Sequence, residues 1–109
     1  MDLLNELTQK TKELDISIKN LRKSGTEYAE AERQYKITLR EEALKLRDEG
    51  MAIGMIDKTC YGIPKVANKR FSRDVAEAVY KANQEAINSI KLQIRVIESQ
   101  INREWNHAK

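Results

Sequence analysis

This 109-residue sequence predicts an all-α fold, a long antiparallel helical hairpin that self-associates, and three observations carry that prediction. Leu4, Leu7, Thr11, Leu14, Ile18 and Leu21 alternate at spacings of three and four, the pattern of a coiled-coil seam. Val75, Val79, Ala82, Ala86, Ile90, Ile94, Ile97 and Ile101 repeat it near the other end. Charged residues make up 34% of the chain and aromatics 6%, with one Pro and four Gly, a profile that suits long helices and not a β-sandwich.

The first helical segment spans 3–49. Its register continues through Gly25, Tyr28, Glu32, Tyr35, Leu39 and Leu46, and weakens at Gly25, Glu32 and Glu42. Ser24-Gly25-Thr26-Glu27 has the spacing of a capping box, which could start a new helix there. Against that, the register survives the interruption, and a mid-helix Gly costs only about 1 kcal/mol relative to Ala. One long helix with a weak point at 24–26 is the expectation; a break there would give a three-helix bundle.

The connector, 50–65, differs in kind. It holds Gly50, Gly54, Gly62 and Pro64, with Met51, Ile53, Met55, Ile56, Tyr61 and Ile63 between them. It reads as an apolar linker that packs under something, with room for a short helix from about Ala52 to Cys60. The second long segment, 66–106, then matches the first in length, at about 60 to 70 Å each by the helical rise. Matched lengths joined by a compact connector make an antiparallel hairpin. The chain, 1–109, is expected to form a single domain.

Self-association follows from apolar residues that such a hairpin leaves over. Leu92 and Val96 point away from the Ile90/Ile94/Ile97/Ile101 stripe, and Ile37 and Leu44 stand opposite Tyr35, Leu39 and Leu46. These four residues are the candidate oligomer interface, with a second copy of the chain as the cover.

Catalytic chemistry finds little purchase. The one histidine, His107, lies near the end of the sequence, and the one cysteine, Cys60, has no companion for a disulfide or a redox pair. No phosphate loop or dinucleotide fingerprint occurs, and one His with one Cys makes no zinc site. Asp57, Asp74 and Glu77 are carboxylates of the kind usually solvated or ion-paired. The expectation is a protein that is not an enzyme and carries no cofactor. The start of the sequence lacks the pattern of a secretory signal, and no run of about 18 apolar residues occurs. A reducing, cytoplasmic setting without membrane insertion is the natural reading.

The formal net charge of +3 is mild, but it is locally concentrated. Lys65, Lys69, Arg70 and Arg73 fall within nine residues with no acid until Asp74. On a helix Lys65, Lys69 and Arg73 share a face with Arg70 alongside, and like charges so placed repel unless an anion neutralises them. Tyr61 nearby could stack on a base, and the helix start adds amide donors. The competing reading is a solvated face, paired with Asp48, Glu49 or Asp57. Replacing Arg70 and Arg73 together by Ala is expected to abolish binding and spare the fold.

Several runs carry a family resemblance: Leu46-Arg47-Asp48-Glu49-Gly50, Ile56-Asp57-Lys58, Tyr61-Gly62, Val66-Ala67 and Arg70-Phe71. Arg73-Asp74-Val75-Ala76-Glu77-Ala78, Ala82-Asn83-Gln84-Glu85-Ala86-Ile87-Asn88 and Arg103-Glu104-Trp105 join them. Over roughly residues 30 to 106 the chain resembles small early-region proteins of phages and prophages of Gram-positive bacteria. The resemblance implies a setting, the cytoplasm of an infected bacterium, and no functional residues. Three functions are compatible with it. The chain could sequester a small anionic nucleotide such as a cyclic immune signal, with Lys65, Lys69, Arg70 and Arg73 on phosphates and Tyr61 on a base. It could bind nucleic acid as a replication or recombination accessory, although few aromatics stand near the basic patch. It could be a scaffold or an inhibitor of a host protein.

Overall fold

The computed structural model describes residues 2–108, and they form three helices in the order α1 (Leu3–Asp48), α2 (Ile53–Cys60) and α3 (Pro64–Ala108). The long α1 packs against α3 as an all-α helical hairpin, and no strand occurs among the described residues. The terminators follow backbone chemistry. After α1, Gly50 takes φ +90°, a left-handed value that side chains resist. The Gly50 amide bonds the Arg47 carbonyl at 3.0 Å and the Met51 amide bonds Leu46 at 3.1 Å, the pair of contacts that defines a Schellman stop. α3 begins at Pro64, two residues earlier than the expected Val66. Proline suits the first helical position because the amide it lacks would have no partner there.

Ser24 does not start a helix. α1 runs through residues 24–26 without interruption, and Ser24 is buried. Gly25 has a packing role instead. A Cβ built there would lie 3.1 Å from Cε1 of the Tyr80 ring, so the missing side chain is what admits that ring.

The packing falls into two compact units: Ser24–Tyr80, and the residues up to Lys23 together with those from Lys81 on. In Ser24–Tyr80 the core is Tyr35, Cys60 and Val66, with Leu39, Ala43, Leu46 and Ile63 packed against it. α2 docks through Ile56 and Cys60, whose thiol donates to the Leu39 carbonyl at 3.6 Å. Ile53, Met55 and Tyr61 remain exposed, so the connector is buried along one face only. In the other unit Ile87 and Ile97 are buried, with Leu7, Leu14, Ile18, Leu21, Ile90, Ile94 and Ile101 half-buried. Asn83 Nδ2 donates to the Asn20 carbonyl at 3.4 Å.

The seam corrects the expected apolar stripe at both ends. Leu4 and Thr11 are exposed on α1. On α3, Val75, Val79, Ala82 and Ala86 face outward, and the packed line runs through Val66, Arg73, Ala76, Glu77, Tyr80, Asn83 and Ile87 before joining Ile90. Arg73, Glu77, Tyr80, Asn83 and Ile87 keep the spacing of three and four, with Ala76 beside them. The stretch from Arg73 to Asn83 is polar, and Arg73, Glu77 and Asn83 there each have a partner. Tyr28 Oη donates to Glu77 at 2.7 Å, and the Tyr28 and Tyr80 rings stand 5.9 Å apart. That hydrogen bond is the main reason the Tyr28 hydroxyl is held above its ordinary pKa. No buried side-chain nitrogen or oxygen among the described residues lacks a partner.

Candidate functional site

The four cations expected to form one phosphate-binding face are divided by the helix. A residue advances 100° around α3, which sets Lys65 and Arg70 about 140° apart. Val66, wholly buried, lies between them. Lys65 leans towards α1, with Nζ 4.0 Å from Glu42 Oε1. Arg73 turns inward: its guanidinium lies 4.6 Å from the Tyr35 ring centroid, 3.7 Å from Glu32 Oε2 and 2.9 Å from Asp74 Oδ1. The hydrogen bond to Asp74 is the first cause of the raised Arg73 pKa. The acids that meet these cations are therefore Glu32, Glu42 and Asp74, not Asp48, Glu49 or Asp57.

Arg73 is thus part of the packing, and the Arg70/Arg73 double replacement does not separate binding from stability. Arg73→Ala is expected to cost about 1–2 kcal/mol, because it removes a half-desolvated cation–π contact and leaves Glu32 with less compensation. Arg70→Ala, at an exposed position, is expected to fall within about 0.5 kcal/mol of the parent. Urea unfolding followed by far-UV circular dichroism measures both. Equal effects would remove the distinction drawn between the two arginines.

Lys69, Arg70 and Tyr61 remain on the surface, and Arg70 sits 6.0 Å from the Tyr61 ring centroid. Tyr61 is also one wall of a groove of about 270 Å³ between α1 and α2, lined by Lys36, Leu39, Arg40, Ala43, Ile56, Asp57, Cys60 and Tyr61. Lys36 is shared with Glu32 at 3.7 Å, whereas Arg40 and Arg70 make no ion pair among the described residues. Lys36 and Arg40 are residues that the sequence reading missed. Their i,i+4 spacing on α1 was visible, but only the docking of α2 places them beside Tyr61.

The groove contains a cation pair, an aromatic face and one carboxylate, Asp57. Such a set can take a phosphate against the cations and a planar group against the ring. It lacks an activated nucleophile. Cys60 is 2% exposed, and burial pushes its thiol up, with Glu42 and Asp57 adding to the shift. A thiol held in its neutral form is a poor attacking group. The four apolar residues expected at an interface, Ile37, Leu44, Leu92 and Val96, are all exposed. No helix among the described residues is long and apolar enough to cross a membrane. No protein-family model, no curated protein and no solved structure matches this chain.

Proposed function

We propose that the protein is a non-enzymatic binding protein, working as a homo-oligomer, that holds a small phosphate-bearing nucleotide at the α2 corner. The observation that carries this reading is the meeting of Arg70 and Tyr61 beside a groove whose α1 wall presents Arg40 and Lys36. Arg40 and Arg70 have no acidic partner among the described residues, so an anion would relieve charge that the fold leaves uncompensated. Lys69 is exposed on the Lys65 side of α3, and Lys65 shares its charge with Glu42. Arg73 supports the helix pairing instead of contacting the ligand.

Ile37 and Leu44 flank Arg40 on the outer side of α1, three residues before it and four after. A second chain laid over them would roof the groove, which suits a ligand enclosed between subunits. The resemblance to phage early-region proteins makes a cyclic nucleotide of host immunity the natural cargo, and counter-defence the purpose.

The test is native mass spectrometry with a panel of cyclic mono- and dinucleotides and short oligonucleotides, repeated on Arg40→Ala/Arg70→Ala. The expected result is a discrete oligomer carrying a cyclic nucleotide, with binding at least about tenfold weaker in the variant and unfolding unchanged. Affinity that collapses with salt would favour nucleic acid instead, since each phosphate contact releases counterions. A panel ignored altogether would overturn the proposal. The second reading, a scaffold or inhibitor of a host protein, is favoured by Phe71, Val75 and Val79, exposed at four-residue spacings along one side of α3.

A further inference from the structure

The outer face of α3 near its end carries an order that neither the apolar seam nor the α2 corner uses. Glu85, Ser89, Leu92, Val96, Ser99 and Arg103 follow one another at spacings of four, three, four, three and four. All six are exposed, Leu92 by 60% and Val96 by 52%. This is a second heptad line on a helix whose first line, through Ile90, Ile94, Ile97 and Ile101, is already packed.

The line is also self-complementary about Ile94. Leu92 and Val96 lie two residues to either side, Ser89 and Ser99 five, and Glu85 and Arg103 nine. A helix that meets a second copy of itself about a twofold axis must pair each position with its mirror position, because residue i then contacts j and j contacts i. Antiparallel pairing centred on Ile94 sets Leu92 on Val96 of the partner subunit, small Ser89 on Ser99 of the partner subunit, and acid Glu85 on the partner subunit's Arg103. Each pairing occurs twice. Neither Glu85 nor Arg103 has an ion pair within the chain among the described residues, so both charges are available. Gln93, which donates to Ser89 Oγ at 3.2 Å, and Arg95 flank the line on opposite sides, so each stands nearest its own copy across the twofold axis.

Leu92 and Val96 border one groove, and Val96 borders a second. One groove, of about 590 Å³, lies between the first turns of α1 and α3 and is floored by Ile97. The other, of about 490 Å³, follows Val96, Ser99 and Arg103.

We propose that α3 dimerises with α3 of a second copy, antiparallel and centred on Ile94, with apolar Leu92 and Val96 at the middle and a Glu85–Arg103 ion pair at each end. The proposal rests on self-association, the part of the functional reading that needs a second chain, and fixes its surface and register.

Charge reversal tests it with the intact chain, by sedimentation velocity across a concentration series. Glu85→Arg sets two cations opposite each other at both ends of the pair, and Arg103→Glu sets two acids there. Each single reversal is expected to weaken the assembly at least about tenfold. The double reversal, Glu85→Arg with Arg103→Glu, restores opposite charges and is expected to bring the parent assembly back. Circular dichroism checks that each variant keeps its helices, and the rescue excludes misfolding as the cause of the single effects. An assembly indifferent to both single reversals, or one that the double reversal fails to restore, would overturn this register while leaving self-association in place. A parent chain that stays monomeric at every concentration would overturn both.

Discussion

Val66→Asp is expected to cost about 4 kcal/mol or more and to detach α2 from the hairpin. Val66 is the most enclosed side chain described, at 0% exposure, and it meets Tyr35 and Cys60 in the core of its unit. That core is small, so few neighbours can rearrange to hydrate a carboxylate. The partly buried side chains around it, Leu39, Ala43, Leu46 and Ile63, offer no cation. Val66→Ala is the control for lost packing alone, with an expected cost of about 2 kcal/mol. Urea unfolding by far-UV circular dichroism gives both values, and the rate of thiol alkylation reports on α2 directly. Cys60 is 2% exposed in the native protein, with its thiol kept neutral by burial, so it should react slowly in the parent and quickly in the Asp variant. An Asp variant within about 1 kcal/mol of the Ala variant would mean that this corner admits water and is not the core described.

Gly25→Leu is expected to destabilise by about 1–3 kcal/mol, although it replaces the poorest helix former but proline with one of the best. The reason is the ring of Tyr80. A Cβ at position 25 already approaches Cε1 to 3.1 Å and Cδ1 to 3.5 Å, and a leucine must place three further carbons beyond it. The ring cannot simply leave, because it is half-buried and packs against Tyr28 at 5.9 Å. In a Tyr80→Ala background the space is vacant, and the same substitution should become stabilising by up to about 1 kcal/mol through helix propensity alone. A double-mutant cycle by urea unfolding therefore gives a coupling whose sign is set in advance. Equal effects of Gly25→Leu in both backgrounds would show that the ring does not occupy that space. Were 24–26 a helix start, the leucine would act through the cap and not through Tyr80.

Both results bear on what could be read without the structure. The apolar periodicity of α1 from Leu7 to Leu21, and of α3 from Ile90 to Ile101, was enough to identify two long helices and their pairing. Isoleucine and leucine at spacings of three and four have few other ways to be buried. The ends of the elements were almost as legible, since Gly50 and Pro64 act through local backbone chemistry that no distant residue alters. The outward position of Ile37, Leu44, Leu92 and Val96 followed from the same angular rule.

The middle of the hairpin was not legible in this way. Val75, Val79, Ala82 and Ala86 mimic a seam more faithfully than Arg73, Glu77, Tyr80 and Asn83 do, yet the latter are packed. Within Ser24–Tyr80 the facing positions of α3 are set by Val66, which is buried in that unit's own core. Polar side chains can hold such positions when the facing helix supplies partners, as Tyr28 does for Glu77, and Tyr35 with Glu32 for Arg73.

The basic cluster divides for the same reason. Sequence alone determined that Lys65, Lys69, Arg70 and Arg73 are close together along the chain and that Tyr61 precedes them. Only the tertiary structure decided that Arg73 is spent on helix pairing while Arg70 meets Tyr61, and that Arg40 and Lys36 arrive from another helix to complete the groove. Proximity in sequence fixes which residues share a turn. Which of them face a partner helix and which face outward depends on where the neighbouring helix presses, and beside these charges that is set by buried Tyr35 and Val66.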